Sequence, residues 1–259
     1  MTPTGSGSRI DLNADVGESF GARRAGDEEP LFDAVTSANV ACGVHAGSPA
    51  VIAATIEAAL RHGVCVGAHP SYPDPEGFGR RTMALPAFEL RNSLIYQMGA
   101  VAAIARALGT SLTHVKPHGA LYNDAARDDA IAKTIAGAVS AFDPALVLVG
   151  LAGSRSLSVA RAAGLDVAAE AFCDRRYEPN GRLRERTHAD ALIAEPQEAV
   201  EQALDVAVHR RVRSVTGTHV AVDAQTLCIH GDGPHAVEIA RAVRAALETA
   251  GVAVRALRC

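Results

Sequence analysis

Acidic, amide and imidazole side chains collect at the ends of short apolar runs, and these residue types suit proton transfer or electrostatic catalysis. The first run, IDLNADVGE, alternates with period two. Asp11, Asn13 and Asp15 therefore share one face, and Leu12, Ala14 and Val16 the other. Three polar side chains on one face of a buried strand cost several kcal/mol unless they are paired or bound. The next run, SANVACGVHAG, brings Asn39 and His45, and VGAHPSY brings His69. LTHVKPHGALYN aligns His114, Lys116 and His118, AAEAF carries Glu170, and CIHGDG carries His230 and Asp232. A lone histidine is usually structural. Six strand ends of the same polarity point instead to one cleft, because a parallel barrel aims every strand's C-terminal end at the same face.

Of the 25 lysines and arginines, only Lys116 and Lys133 are lysine. A lysine in a polar strand end can serve as a compact cation for a developing oxyanion, or as a base or nucleophile. The competing reading is a structural ion pair to Asp11 or Asp15. Aspartate and histidine also suit a divalent metal, with Asp11, Asp15, His45 and His69 as the ligand candidates, but this reading ranks below metal-free chemistry. His114 and His118 would lie about 13 Å apart along an extended strand, too far to share an ion. Two polar stretches, 69–83 and 171–188, are too long for simple connections and read as binding loops. Each holds an arginine pair, Arg80–Arg81 and Arg175–Arg176, suited to a carboxylate or phosphate. No G-x-x-x-x-G-K-[ST] loop, strand-to-helix G-x-G-x-x-G or G-x-S-x-G elbow is present.

Strands are expected near 9–15, 37–42, 64–68, 111–117, 145–150, 166–171, 212–217 and 226–230. Helices are expected over 49–62, 86–108, 125–141, 154–163, 196–208 and 234–250. Ser48 and Pro49 mark one helix start, and Leu90, Leu94, Met98, Ala102 and Ile104 form a buried stripe on another. Strand–helix alternation without a central linker predicts an α/β fold, a single (β/α) TIM-like barrel over 1–259 with residues 1–8 as a flexible tail.

The chain has 259 residues, 48% hydrophobic and 21% charged, which excludes disordered, collagen-like and coiled-coil classes. With 29 acids against 25 bases the net charge is −4, so no basic field draws nucleic acid or an anionic membrane. No apolar run approaches the roughly 20 residues of a membrane span, and MTPTGSGSRI does not read as a signal peptide. A cytoplasmic location is expected. Five scattered cysteines without C-x-x-C predict reduced, buried thiols rather than a disulfide framework or a thiolate zinc site.

DLNADVGE, SANVACGVHAG, GAHPSYPDPEGFGRR, VKPHGALYN, EAFCDRRYEPNGRLRER and CIHGDG, in this order, closely resemble the LamB/YcsF family. The resemblance runs from residue 11 to about residue 243. It implies a distorted, often seven-stranded (β/α) barrel related to glycoside hydrolases and polysaccharide deacetylases. It also implies ATP-dependent hydrolysis of 5-oxo-L-proline to L-glutamate, together with separate B and C subunits of a 5-oxoprolinase. Under that reading Arg176 or Arg81 meets the substrate carboxylate, and Lys116 the phosphoryl oxygens. His45, His69 or His118 acts as base, while Asp11 and Asp15 orient a histidine or hold Mg²⁺ delivered with ATP. Asn13, Asn39, Glu170, His230 and Asp232 complete the substrate site. With no phosphate loop here, a partner subunit is expected to supply much of the ATP site. Two positions depart from the family pattern: Ser48 replaces an aspartate in HAGSP, and Cys173 replaces a commoner alanine. Two other functions fit the same residues, a stand-alone metal-dependent amidohydrolase or deacetylase and a non-catalytic subunit presenting a carboxylated ligand.

Overall fold

A computed structural model describes residues 8–19, 28–231 and 235–259. Residues 1–7 of the expected tail, the expected helix start at 234 and Asp232 lie outside the described residues. The chain runs β1 (Arg9–Val16), β2 (Ser37–Ala41), α1 (Pro49–Arg61), β3 (Cys65–His69), α2 (Ala87–Ala107) and β4 (His114–Val115). It continues with α3 (Gly119–Ala125), α4 (Asp129–Phe142), β5 (Val147–Leu151), α5 (Arg155–Ala162), β6 (Val167–Phe172) and α6 (Pro196–His209). It ends with β7 (Arg211–Arg213), β8 (His219–Ala221), β9 (Thr226–His230), α7 (Ala236–Thr249) and β10 (Ala253–Val254).

β1 to β6 and β9 form a closed parallel barrel of seven strands, with β1 pairing both β2 and β9. β10 extends the lower end of β1 through Arg9↔Ala253. The run expected near 212–217 is not a barrel strand. Arg211–Arg213 pairs antiparallel with β8 as a separate hairpin, and the barrel closes past it from β6 to β9. The helix expected over 125–141 is α4, which starts later because Asp128 caps it by accepting from the Ala130 and Ile131 N–H groups, and the short helix α3 before it was not expected. Ser48 caps α1 in the same way, accepting from the Val51 N–H at 3.3 Å. On α2 the buried stripe is Leu90, Leu94, Met98, Val101 and Ala105, with Ala102 and Ile104 half-buried at its flank.

Hydrophobic packing lies outside the strands. Leu12, Ala14 and Val16 meet the shell of helices, while their neighbours point into the barrel. The interior is mostly polar, with Val147, Val149 and Ala168 as a small apolar cluster, and many of its polar side chains hydrogen-bond to one another in layers. Cys65 and Cys259 form a disulfide, with Cα atoms 5.6 Å apart, against the expectation of reduced thiols. The segment after β10 runs back to the start of β3, a proximity hidden by 194 residues of separation. Cys42, Cys173 and Cys228 are free and buried.

Gly67 on β3 faces the His114 ring, and a Cβ there would fall inside the imidazole. Gly67→Ala is expected to cost about 1–3 kcal/mol by overpacking. Thermal unfolding reads this as a lowered Tm, and an unchanged Tm would show that the ring can yield.

Candidate active site

Three layers stack inside the barrel. In the lowest, Asp11 accepts hydrogen bonds from the hydroxyls of Ser37, Thr36 and Thr226 at 2.6, 2.7 and 2.5 Å. Burial raises its pKa in spite of these donors. In the middle layer Asn13 donates to Glu170 Oε1 at 2.9 Å, and Asn39 donates to Asn13 Oδ1 at 2.7 Å. His114 Nε2 completes that layer against Asn39 Oδ1 at 2.9 Å, its pKa lowered to about 3 by burial and by Lys116.

The top layer opens to the cleft. Lys116, 2% exposed, places Nζ 2.9 Å from Asp15 Oδ1, 2.9 Å from Glu170 Oε1, 3.0 Å from Cys228 Sγ and 3.1 Å from Asn13 Oδ1. Burial opposes both charges, yet the pairing wins. Lys116 is held well above its ordinary pKa, and Asp15, beside His69 and Lys116, well below its own. All three ammonium hydrogens are engaged within the protein. His69 Nε2 lies 3.3 Å from Asp15 Oδ2 and 3.0 Å from His118 Nδ1. His45 stacks on His118 with ring centroids 4.1 Å apart, and burial keeps both rings neutral. His230 Nε2 sits 4.0 Å from Asp15 Oδ2, while its Nδ1 is held by Asp174 at 2.9 Å.

The loop 70–83 covers the histidines. Gly79, at φ +64°, lies where a Cβ would meet Ser71, His118 and His45. Gly119, at φ +59°, would put a Cβ 2.5 Å from the Gly79 carbonyl, so the loop seats directly on the start of α3. The loops and strand ends enclose a cleft of about 1190 Å³ that reaches Asp15, His69, Lys116, His118 and His230.

The structure thus brings together Asn13, Asp15, Asn39, His45, His69, Lys116, His118, Glu170 and His230. It leaves three of the sequence candidates elsewhere. Asp11 is at the barrel floor. Arg81, its side chain 62% exposed, pairs with Asp74 outside the cleft lining. Arg176 makes a two-pronged ion pair with Glu198 at 2.5 and 2.9 Å, also outside it. In each arginine pair the other member, Arg80 or Arg175, lines the cleft. Arg175 is 5% exposed, with Nη2 on the Arg184 carbonyl at 2.7 Å, and burial lowers its pKa to about 10. Glu18 and Asp174 were also missed. Gly17, at φ +71°, breaks the β1 alternation and turns Glu18 back to His118 at 3.3 Å. For Asp174 a signal existed, since period two from Glu170 passes through Phe172 to Asp174.

Comparison with known proteins is consistent along the chain. The LamB/YcsF family model matches residues 10–259. A Methylococcus capsulatus protein named as the A subunit of 5-oxoprolinase is 55% identical over 248 residues, covering 96% of this chain and 95% of that one. The crystal structure of a lactam utilization protein from Thermus thermophilus superposes with a TM-score of 0.90 at 51% identity, over 96% of this chain and all of the other. Peptidoglycan deacetylase PdaC from Bacillus subtilis reaches a TM-score of 0.50 at 12% identity over 97% and 89% of the two chains, a likeness of fold alone. By the family match over nearly its whole length, the chain belongs to the LamB/YcsF family.

Proposed function

We propose that this chain is the A subunit of an ATP-dependent 5-oxoprolinase, opening 5-oxo-L-proline to L-glutamate together with B and C subunits. The observation that carries the reading is the 55% identity, over 96% of the chain, to a protein bearing that subunit's name. The site's chemistry supports it. A five-membered lactam is a weak electrophile whose carboxylate repels hydroxide, so opening it needs an activated amide oxygen, a base for water and a cation for the carboxylate. Asp15, His69, His118 and the Asp174-held His230 supply the charge and proton-transfer groups at the cleft end, and Arg175 is the buried cation at the cleft wall. A partner subunit would supply much of the ATP site, since this chain carries no glycine-rich phosphate loop. A second reading, an amidohydrolase that works with a metal and without ATP, is favoured by one observation, the convergence of Asp15, His69 and His118.

Reconstitution separates these readings. The purified chain, with and without B and C subunits, is given 5-oxoproline and Mg-ATP, and glutamate and ADP are measured. Coupled turnover only in the complex is expected. Turnover by the chain alone without ATP would favour the amidohydrolase, and ligand binding without any turnover would favour a presenting role.

The arginine assignment has its own check. Arg175→Met in the complex is expected to raise KM for 5-oxoproline about tenfold or more, since a charged hydrogen bond is lost. Arg176→Met, which removes only a half-exposed ion pair, should leave KM within about twofold. The reverse order of effects would return the carboxylate to Arg176.

A further inference from the structure

Two buried histidines face each other with lone pairs. His69 Nδ1 lies 2.7 Å from the Lys116 carbonyl oxygen, which only accepts, so Nδ1 carries the hydrogen and, in the neutral ring, Nε2 is bare. His118 Nε2 lies 2.9 Å from the Phe78 carbonyl oxygen, so there Nε2 carries the hydrogen and Nδ1 is bare. The two bare nitrogens are 3.0 Å apart. Asp15 Oδ2 stands 3.3 Å from His69 Nε2, and Glu18 Oε1 stands 3.3 Å from His118 Nδ1. Electron-pair donors thus converge without a hydrogen between the rings, and a buried site tolerates this only around a positive particle.

We propose that Asp15, His69 and His118 bind one divalent transition metal of the zinc class, through Oδ2, Nε2 and Nδ1, at the floor of the cleft. The ligand atoms lie within 4.8 Å of one another. Bonds of about 2.1 Å meeting at 90–109° give ligand–ligand edges of about 3.0–3.4 Å, the spacing of the two measured edges. Each ring is aimed by a hydrogen bond from its far nitrogen to a backbone carbonyl, the outer support that metal-binding imidazoles usually have. His45 stacked on His118 fixes that ring's plane. The Lys116 ammonium occupies Oδ1 of Asp15 and leaves Oδ2 to the metal. Two nitrogens and one oxygen suit zinc, cobalt or iron(II) better than magnesium, which prefers oxygen throughout. His230 Nε2, held by Asp174, flanks the site 4.0 Å from Asp15 Oδ2, in reach of a group bound at an open position.

The full-length chain is stripped with a chelator and titrated with Co²⁺ as a spectroscopic probe, then with Zn²⁺ by calorimetry. One equivalent per chain with visible ligand-field bands is expected. Nitrogen NMR of the histidines should show the metal-induced shift at His69 Nε2 and His118 Nδ1 and not at their partner nitrogens. His69→Gln and His118→Gln should each weaken binding on the order of 100-fold or more. If a variant does not fold, the NMR assignment in the native chain decides alone. Absence of stoichiometric uptake, with one ring giving the imidazolium pattern, overturns the proposal, since the positive particle is then a proton. Uptake that survives in both folded variants overturns it too. The measurement needs no substrate, so a chain that binds one cobalt yet gives no glutamate in the complex counts against the lactam reading alone.

Discussion

Lys116→Met is expected to cost the fold about 3–5 kcal/mol, a drop of roughly 6–20 °C in Tm for a chain of this size. A lysine at a polar strand end reads, from sequence, as a cation poised for a developing negative charge. The structure instead surrounds Nζ with Asp15, Glu170, Cys228 and Asn13, all within 3.1 Å, so no hydrogen remains for a substrate oxygen. Methionine keeps the apolar stem but strands two buried carboxylates without a counter-charge. A proton can take the ammonium's place, because a carboxyl is neutral once it binds one. The deficit should therefore shrink at pH 5 and grow at pH 8, the sign expected when the variant's folded state binds a proton more tightly than its unfolded chain. Urea unfolding at the two pH values measures both effects. The opposite result, unchanged stability with kcat in the complex lowered by about 10²–10³, would place the ammonium on a reacting oxygen after all.

How much of this site could be read from the residues depends on what a period can carry. Alternation on β1 correctly separated Asp11, Asn13 and Asp15 from Leu12, Ala14 and Val16. It assigns a face and not a height. Four residues at about 3.3 Å each put Asp11 some 13 Å below Asp15, so a residue on the correct face still misses the cleft. Loops carry no period at all. Nothing in EGFGRRT or FCDRRYE tells which arginine of a pair turns inward, and that choice rests on contacts with Asp74 and Glu198, outside either motif. Glu18 was hidden for a related reason, since one residue with positive φ, Gly17, resets the alternation. The hairpin at 211–221 shows another limit. Its residues do form strands, but strand propensity does not say which sheet a strand joins, and closure between β6 and β9 is settled by pairing at Glu170↔Thr226.

Asp15→Asn is expected to lower kcat in the assembled complex by about 10²–10⁴, the range for losing a charge that positions or tunes the reacting groups, while the fold survives. The two effects separate because the amide copies most of what the carboxylate does structurally. Its carbonyl oxygen can take the place of Oδ1, which accepts from Lys116 Nζ at 2.9 Å and Asn39 Nδ2 at 2.8 Å. Its NH₂ then faces His69 Nε2, a bare acceptor 3.3 Å from the present Oδ2, and makes a hydrogen bond where the native protein has two acceptors opposed. Chemistry loses more. The negative charge beside His69 and His230 disappears, neither ring gains a proton acceptor in exchange, and Oδ2 no longer offers an anionic ligand to a cation. Lys116 remains matched by Glu170 at 2.9 Å, so no buried cation is left alone. Steady-state kinetics of the complex, alongside thermal unfolding of the chain, gives both numbers from one variant. Full activity with a large fall in Tm would make Asp15 the ammonium's structural partner and move the reaction to the arginine-lined wall of the cleft.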